Sequence, residues 1–309
     1  MQKDVTYTVT EQETGQKIET ILKQGLSLTK NQIKSAKFRP DGICVNGNRA
    51  RISTVVFSGD VVSVQLETKE TASGHVEAVP GNVEILYEDE DLVLVNKPAG
   101  LVVHPAHGHY DDTLANHLMY YFEQHGLRVC IRAVGRLDKD TSGIVLFAKN
   151  KVASARLSGQ NAIEKEYLAL VNGRFAKTNG CIKLPIRKKN GSLNQMEISD
   201  DGNYAVTHYQ VVGEFADYSL VCLKLDTGRT HQIRVHMAAV GHPLVGDTVY
   251  GKRRAYSGRE MARTALHCVN ICLRQPFTGE MIQARAPIPE DMRMYMENFK
   301  ETMIKSAFP

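Results

Sequence analysis

Apolar positions recur along this chain with two different periods. Between residues 18 and 39, Ile18, Ile21, Leu22 and Leu26 share one helical face. Ser27-Leu28-Thr29 opens a second helix bearing Ile33 and Ala36, and Pro40-Asp41-Gly42 ends it. Short strand-like runs follow at 43–45 and 61–64, with Asn46-Gly47-Asn48 as a hairpin turn. Residues 68–80 carry no apolar period and read as a linker. Beyond them the pattern turns to strands, at 83–87, 92–95, 144–148, 165–171, 205–209 and 219–223, with a further apolar run over 265–273. Two amphipathic helices interrupt these. One covers 113–125, where Leu114, Leu118 and Phe122 are four apart. The other is capped by Thr230, places Ile233, Met237 and Val240 on one face, and stops at Gly241.

Between the lead-in Cys130–Val134 and the run Ile144–Ala148 lies a polar stretch bounded by glycines, Gly135-Arg136-Leu137-Asp138-Lys139-Asp140-Thr141-Ser142-Gly143. A turn between two strands has this composition, and it can hold a carboxylate at the mouth of a cleft. Asp138 and Asp140 are the candidates. A turn breaks strand alternation, so only one of them needs to face a substrate.

Charge adds direction. Lys and Arg number 38 against 34 Asp and Glu, so the sum is only +4 and its distribution matters more. From Thr29 to Arg51 stand six basic residues, Lys30, Lys34, Lys37, Arg39, Arg49 and Arg51, against one acid, Asp41. From Tyr167 to Met196 stand six more, Arg174, Lys177, Lys183, Arg187, Lys188 and Lys189, with no acid. Such excesses favour phosphate contact. The six cysteines show no CxxC, and Cys268 and Cys272 fall in an apolar run, so they read as core thiols in a reducing compartment. His231, His236 and His242 are five and six apart, not the four of a zinc-binding helix, so no metal is expected. The N-terminal stretch lacks the apolar core of a leader, and no run approaches about 18 apolar residues. A cytoplasmic protein without membrane contact is expected.

Three separated strings resemble one family. Gly135–Gly143 is similar to the signature of the RluA-type pseudouridine synthases, with Gly135 where many members have His. Lys165-Glu166-Tyr167 resembles the family's Lys-x-Tyr. Gly228-Arg229-Thr230-His231-Gln232-Ile233-Arg234-Val235-His236 resembles its third motif, continued by Gly246-Asp247 to Gly251. Lys97-Pro98 is similar to the first motif, a turn that steadies the floor of the site. The likeness spans about residues 81–290. Residues 15–67 resemble the small RNA-binding domain of the ribosomal protein S-four type, on Val45-Asn46-Gly47 and Gly59-Asp60.

The resemblance implies an α+β pseudouridine synthase fold with a central, largely antiparallel sheet, plus a small N-terminal α+β RNA-binding domain. The division it implies is 1–70 for that domain, 71–80 for the linker and 81–309 for the catalytic domain. The reaction it implies isomerises uridine in structured RNA, ribosomal RNA first and transfer RNA second, without cofactor, metal or obligate protein partner. Asp138 is the essential carboxylate, by attack on the ribose or by proton abstraction from it, and the sequence leaves both open. By the same resemblance Arg229 is expected to pair with Asp138, and Tyr167 to stack on the uracil and mediate the final proton removal. Arg136 fills the place of the extruded base, and Lys165, Lys30, Lys34, Lys37, Arg49 and Arg51 bind RNA. Two other readings compete. A pure RNA-binding protein has no need of Asp138, Tyr167 and Arg229 together, and a hydrolase using Asp138 with Asp140 lacks supporting spacing.

Overall fold

The structure is a computed structural model describing residues 2–26, 28–67, 76–106, 108–159, 163–192, 194–251 and 260–296. The first part is a four-stranded sheet with two helices on it. Its elements are β1 (Gln2–Thr8), α1 (Ile18–Gln24), α2 (Lys30–Lys37), β2 (Ile43–Val45), β3 (Asn48–Arg49) and β4 (Val61–Glu67). Strand β1 was not foreseen from the sequence. Thr29 caps α2, accepting from the Gln32 N–H while the Gln32 side chain accepts from Thr29 N–H. Asn46 and Gly47 both have positive φ, as a tight hairpin turn requires. Ile18, Ile21, Leu22, Ile33, Val56, Val62 and Val64 form a core of their own.

The second part is built on a ten-stranded sheet. Its elements are β5 (Glu84–Glu88), β6 (Leu92–Lys97), α3 (Leu114–Gln124), β7 (Arg132–Val134), β8 (Ser142–Ala148), α4 (Lys151–Gly159), β9 (Glu164–Asn172) and β10 (Asn179–Lys183). A separate hairpin, β11 (Ile186–Lys188) with β12 (Met196–Ile198), is followed by β13 (Val206–Glu214), β14 (Tyr218–Leu225), α5 (Gln232–Ala239), β15 (Leu266–Arg274), β16 (Met281–Arg285) and α6 (Glu290–Arg293). The strand order is β10-β13-β14-β9-β15-β8-β6-β5. Pairing is antiparallel except between β15 and β8, where His267 meets Ser142 and Cys268 meets Gly143 in parallel register. β15 therefore joins two half-sheets through a two-residue seam. A side chain at Gly143 would place its Cβ 2.2 Å from the Cys268 carbonyl oxygen, so the seam closes only around glycine.

Both α2 and α3 begin where the periodicity placed them, and α5 begins two residues after Thr230, with His231 at its N-cap. Residues 68–75 of the expected linker lie outside the described residues. Residues 76–80 are docked on α3, where Asn116 donates to the Glu77 carbonyl and Val79 N–H donates to the Asn116 carbonyl. The N-terminal core is joined by Val152 of α4 and contacted by Phe277, so the small sheet rests on the large part. Cys268 is fully buried in β15, and Cys272 is partly buried.

Candidate active site

The β7–β8 turn lies beside the seam and is held from below. Lys97 at the end of β6 is fully buried, and its ammonium donates to the carbonyls of Pro98, Leu101 and Lys139 at 2.8, 2.8 and 2.9 Å. Gly100 N–H donates to the same Lys139 carbonyl, and Thr141 N–H donates to the Asp138 carbonyl. Burial, with the charge of Arg263 nearby, pulls the Lys97 pKa down to about 7. Lys97 is thus a scaffold group, as its Pro neighbour suggested, and its job is to fix the backbone of the turn.

Asp138 projects from that turn into a cleft of about 330 Å3 lined by Arg136, Lys165, Tyr167, Arg229, His231 and Arg234, among others. The volume suits a small ligand group such as one nucleoside, at the lower end of the roughly 300–1,000 Å3 typical of such sites. Asp140 does not line it; its carbonyl accepts from Arg263.

The partner expected for Asp138 is corrected by the geometry. Arg234 Nη1, not Arg229, lies 3.3 Å from Asp138 Oδ2. Arg229 is exposed on the loop before α5 and donates through Nε to the Tyr204 carbonyl, while still lining the cleft. The reason is local. Gln232 accepts from Arg229 N–H and Thr227 Oγ1, and donates to the Val206 carbonyl and Thr207 Oγ1, which pins the loop to β13. Arg234, further into α5, is buried and faces inward.

Asp247 completes the arrangement, which sequence reasoning missed. It is almost fully buried and takes Arg234 Nε and Nη2 on its two oxygens at 2.7 and 3.0 Å. Burial alone would lower the Arg234 pKa, but the bidentate pair with Asp247 outweighs it and raises it. For Asp247, burial opposes and the Arg234 hydrogen bonds win, so its pKa is lowered. The planar fork is thereby fixed with its Nη1 turned to Asp138. Gly246-Asp247 continuing the third motif was the available signal.

Tyr167 sits on β9 opposite Cys268 and is 7% exposed, its ring lining the cleft wall. Burial, then the neighbouring Cys268 and Asp138, push its pKa well above the usual phenol value. It therefore presents a ring and a neutral hydroxyl at ordinary pH, not a ready base. Lys165, one strand repeat earlier, is near the Gly135 backbone, and burial lowers its pKa. Arg136 is exposed at the rim. The five cations named on the N-terminal part, Lys30, Lys34, Lys37, Arg49 and Arg51, are all exposed, the three lysines on α2. In the second basic stretch, Arg187 is engaged by Glu197 and Asp201, while Lys188 and Lys189 are exposed at the β11–β12 tip.

Comparison with known proteins points to one family. The sequence pattern described as RNA pseudouridylate synthase matches residues 91–239. An uncharacterized RNA pseudouridine synthase of Bacillus subtilis, YlyB, is 39% identical over 84% of this chain and 86% of its own. A ribosomal large subunit pseudouridine synthase D of Vibrio cholerae is 36% identical over 94% and 93%. Among solved structures, human RNA Pseudouridylate Synthase Domain Containing 1 aligns with a TM-score of 0.54 and 30% identity, over 75% of this chain and 89% of that one. Matched over most of its length by such relatives, this chain belongs to the RNA pseudouridine synthase family of isomerases.

Proposed function

We propose that this chain converts uridine to pseudouridine in structured ribosomal RNA of the large subunit, in the cytoplasm, with transfer RNA as the second substrate class. The observation that carries the residue assignment is Asp138 held in the cleft by Arg234, itself gripped by Asp247. The ribosomal target rests on the Vibrio cholerae relative, matched over nearly its whole length.

Isomerisation breaks the bond from ribose C1′ to N1 of uracil, turns the held base, and forms a bond from C1′ to C5. A proton leaves C5 and N1 gains one, so no electrons are exchanged. Asp138 acts on the ribose, and Arg234 aims it there. Tyr167 stacks on the detached base and blocks its escape. Its neutral phenol does not accept the C5 proton unaided. Extruding the uridine costs a few kcal/mol. Stacking of about 1–3 kcal/mol per base on Tyr167, and of Arg136 in the vacated place, offsets it. Lys165 and Arg229 line the cleft as further RNA contacts. Residues 1–70, joined through 71–80 to the catalytic part 81–309, add phosphate contacts through Lys30, Lys34, Lys37, Arg49 and Arg51.

The test is chemical. Unmodified ribosomal and transfer RNA are incubated with native protein or Asp138→Asn, and carbodiimide-dependent reverse-transcription stops are mapped. Stops appearing only with native protein are expected, and their position identifies the RNA. Equal stops with both proteins would remove Asp138 from its role, and stops confined to transfer RNA would replace the ribosomal target.

A further inference from the structure

His231 has no part in the reaction as described, yet it is built into the site with some strain. It precedes α5 with φ of 54°, a left-handed conformation that is uncommon for residues other than glycine. Its two ring nitrogens face different groups. Nδ1 lies 2.8 Å from the Tyr250 hydroxyl, and Nε2 lies 3.8 Å from Asp138 Oδ2. Tyr250 stands in the Gly246–Gly251 stretch, three residues after Asp247.

The hydrogen-bond pattern favours one tautomer. The Tyr250 oxygen accepts from the Met196 backbone N–H at 2.8 Å, leaving its own proton for His231 Nδ1. A neutral His231 that accepts at Nδ1 carries its proton on Nε2, toward the carboxylate. Burial raises the Tyr250 pKa and lowers that of His231, which keeps the tyrosine a donor and favours the neutral ring. The charged groups around His231 are Asp138 from the β7–β8 turn, Arg234 from α5, and Asp247. The Tyr250 ring also lies 5.1 Å from the Arg234 guanidinium carbon, so one residue supports both groups that face Asp138. Met196 begins β12, and the tip of that hairpin bears the exposed Lys188 and Lys189. A groove of about 640 Å3 runs between Lys189, Asn190, Gln195 and His231.

We propose that His231 is a positioning residue for Asp138: Tyr250 sets its Nε2–H tautomer, and the β11–β12 hairpin sets Tyr250, so that seating of the hairpin on RNA is felt at the carboxylate. This rests on Asp138 being the reacting group. A small rotation of either side chain brings Nε2–H into hydrogen-bond range of Oδ2, the same oxygen that Arg234 faces, so the two together fix the carboxylate through that oxygen.

The experiment compares native protein, Tyr250→Phe, His231→Ala, His231→Gln and the Tyr250→Phe/His231→Gln double variant. Single-turnover isomerisation at saturating enzyme, RNA affinity and thermal midpoint are measured for each. Tyr250→Phe keeps the ring against Arg234 and is expected to slow the reaction about five- to tenfold, the worth of one hydrogen bond, with affinity unchanged. His231→Ala is expected to lose at least as much. His231→Gln presents an N–H near the Nε2 position without needing a tautomer, so it should recover most of the rate. In the Gln background, Tyr250→Phe should then have no further effect. Glutamine as slow as alanine, or losses confined to affinity or thermal midpoint, would overturn the proposal. A native protein that isomerises while the variants match it overturns the positioning role alone. A native protein that leaves every uridine unchanged sinks the Asp138 reading and this one with it.

Discussion

The cleft and the N-terminal part handle charge in opposite ways. In the cleft, Arg234 and Asp247 are buried, and Lys97 sits among carbonyls with no exposed surface. On the N-terminal part, Lys30, Lys34, Lys37, Arg49 and Arg51 stand in solvent. A buried charge needs one specific partner in one geometry, because desolvation leaves no alternative. An exposed charge is screened and shares its work with its neighbours. The cleft should therefore fail at single substitutions, and the N-terminal part only by accumulation.

The sharpest contrast is expected at Asp138. Asp138→Asn should lower the isomerisation rate by more than about 10³-fold while RNA affinity stays near native. A variant retaining a tenth of native activity would break the comparison. Next, Arg234→Lys keeps the charge but loses the fork that spans Asp247 and Asp138. A rate loss of about 10²-fold is expected in single-turnover assays, with a lowered thermal midpoint. Arg229→Ala, by contrast, should reduce RNA affinity more than the chemical rate.

Stability sharpens the same contrast. Lys97→Met removes the ammonium from the Pro98 and Leu101 carbonyls and leaves the Lys139 carbonyl with Gly100 N–H alone, and a net loss of about 3 kcal/mol in urea unfolding is expected. Acid should act on the same region. Burial lowers His267 to about 4 and depresses His231 and His236. The unfolded chain then binds more protons than the folded one between the ordinary histidine value and these lowered values. Stability falls as pH drops through about 6.5 toward 4, by roughly 3 kcal/mol for His267 alone, and this penalty is complete below about 4. Residues 1–67 contain no histidine, so hydrogen exchange should loosen the large sheet before the small one. His267→Gln should flatten the acid limb.

The smallest effects belong to the exposed lysines. Each of Lys30→Ala, Lys34→Ala and Lys37→Ala should weaken RNA binding only a few-fold and reduce the salt slope by about 0.7–0.9. The rate on bound RNA should not change. A tenfold loss from one of them would place a specific contact where only a diffuse field is expected.

The sequence carried the elements well wherever one face is buried. The Leu114, Leu118 and Phe122 period gave α3 nearly residue for residue, and β5, β6, β8, β9, β13 and β14 appeared at their apolar runs, whereas β10, β11, β12, β16 and helix α4 were not foreseen. Strand β1 was missed because Gln2–Thr8 alternates Val and Tyr with polar residues too weakly to stand out from a polar N-terminus. The position of Asp138 was legible as a turn carboxylate, and Tyr167 as a strand aromatic. Its arginine was not. Arg229 and Arg234 differ in sequence by little, and only the inward face of α5 with Asp247 waiting behind it selects the second. Tertiary pairing at that range leaves no local trace, nor does the Met196–Tyr250–His231 chain.

The two-residue seam bears on how the chain reaches this state. β15 lies between β9 and β8, yet it is made after almost everything else in the sheet. Until it inserts, both half-sheets present open edges, and Asp138 and Tyr167 have no fixed separation. Non-local, partly parallel pairing of this kind is slow to form and exposes apolar strands meanwhile. A chain halted before Leu266 would therefore lack the strand that joins the two half-sheets, and would hold most of the sequence of a catalyst without its geometry.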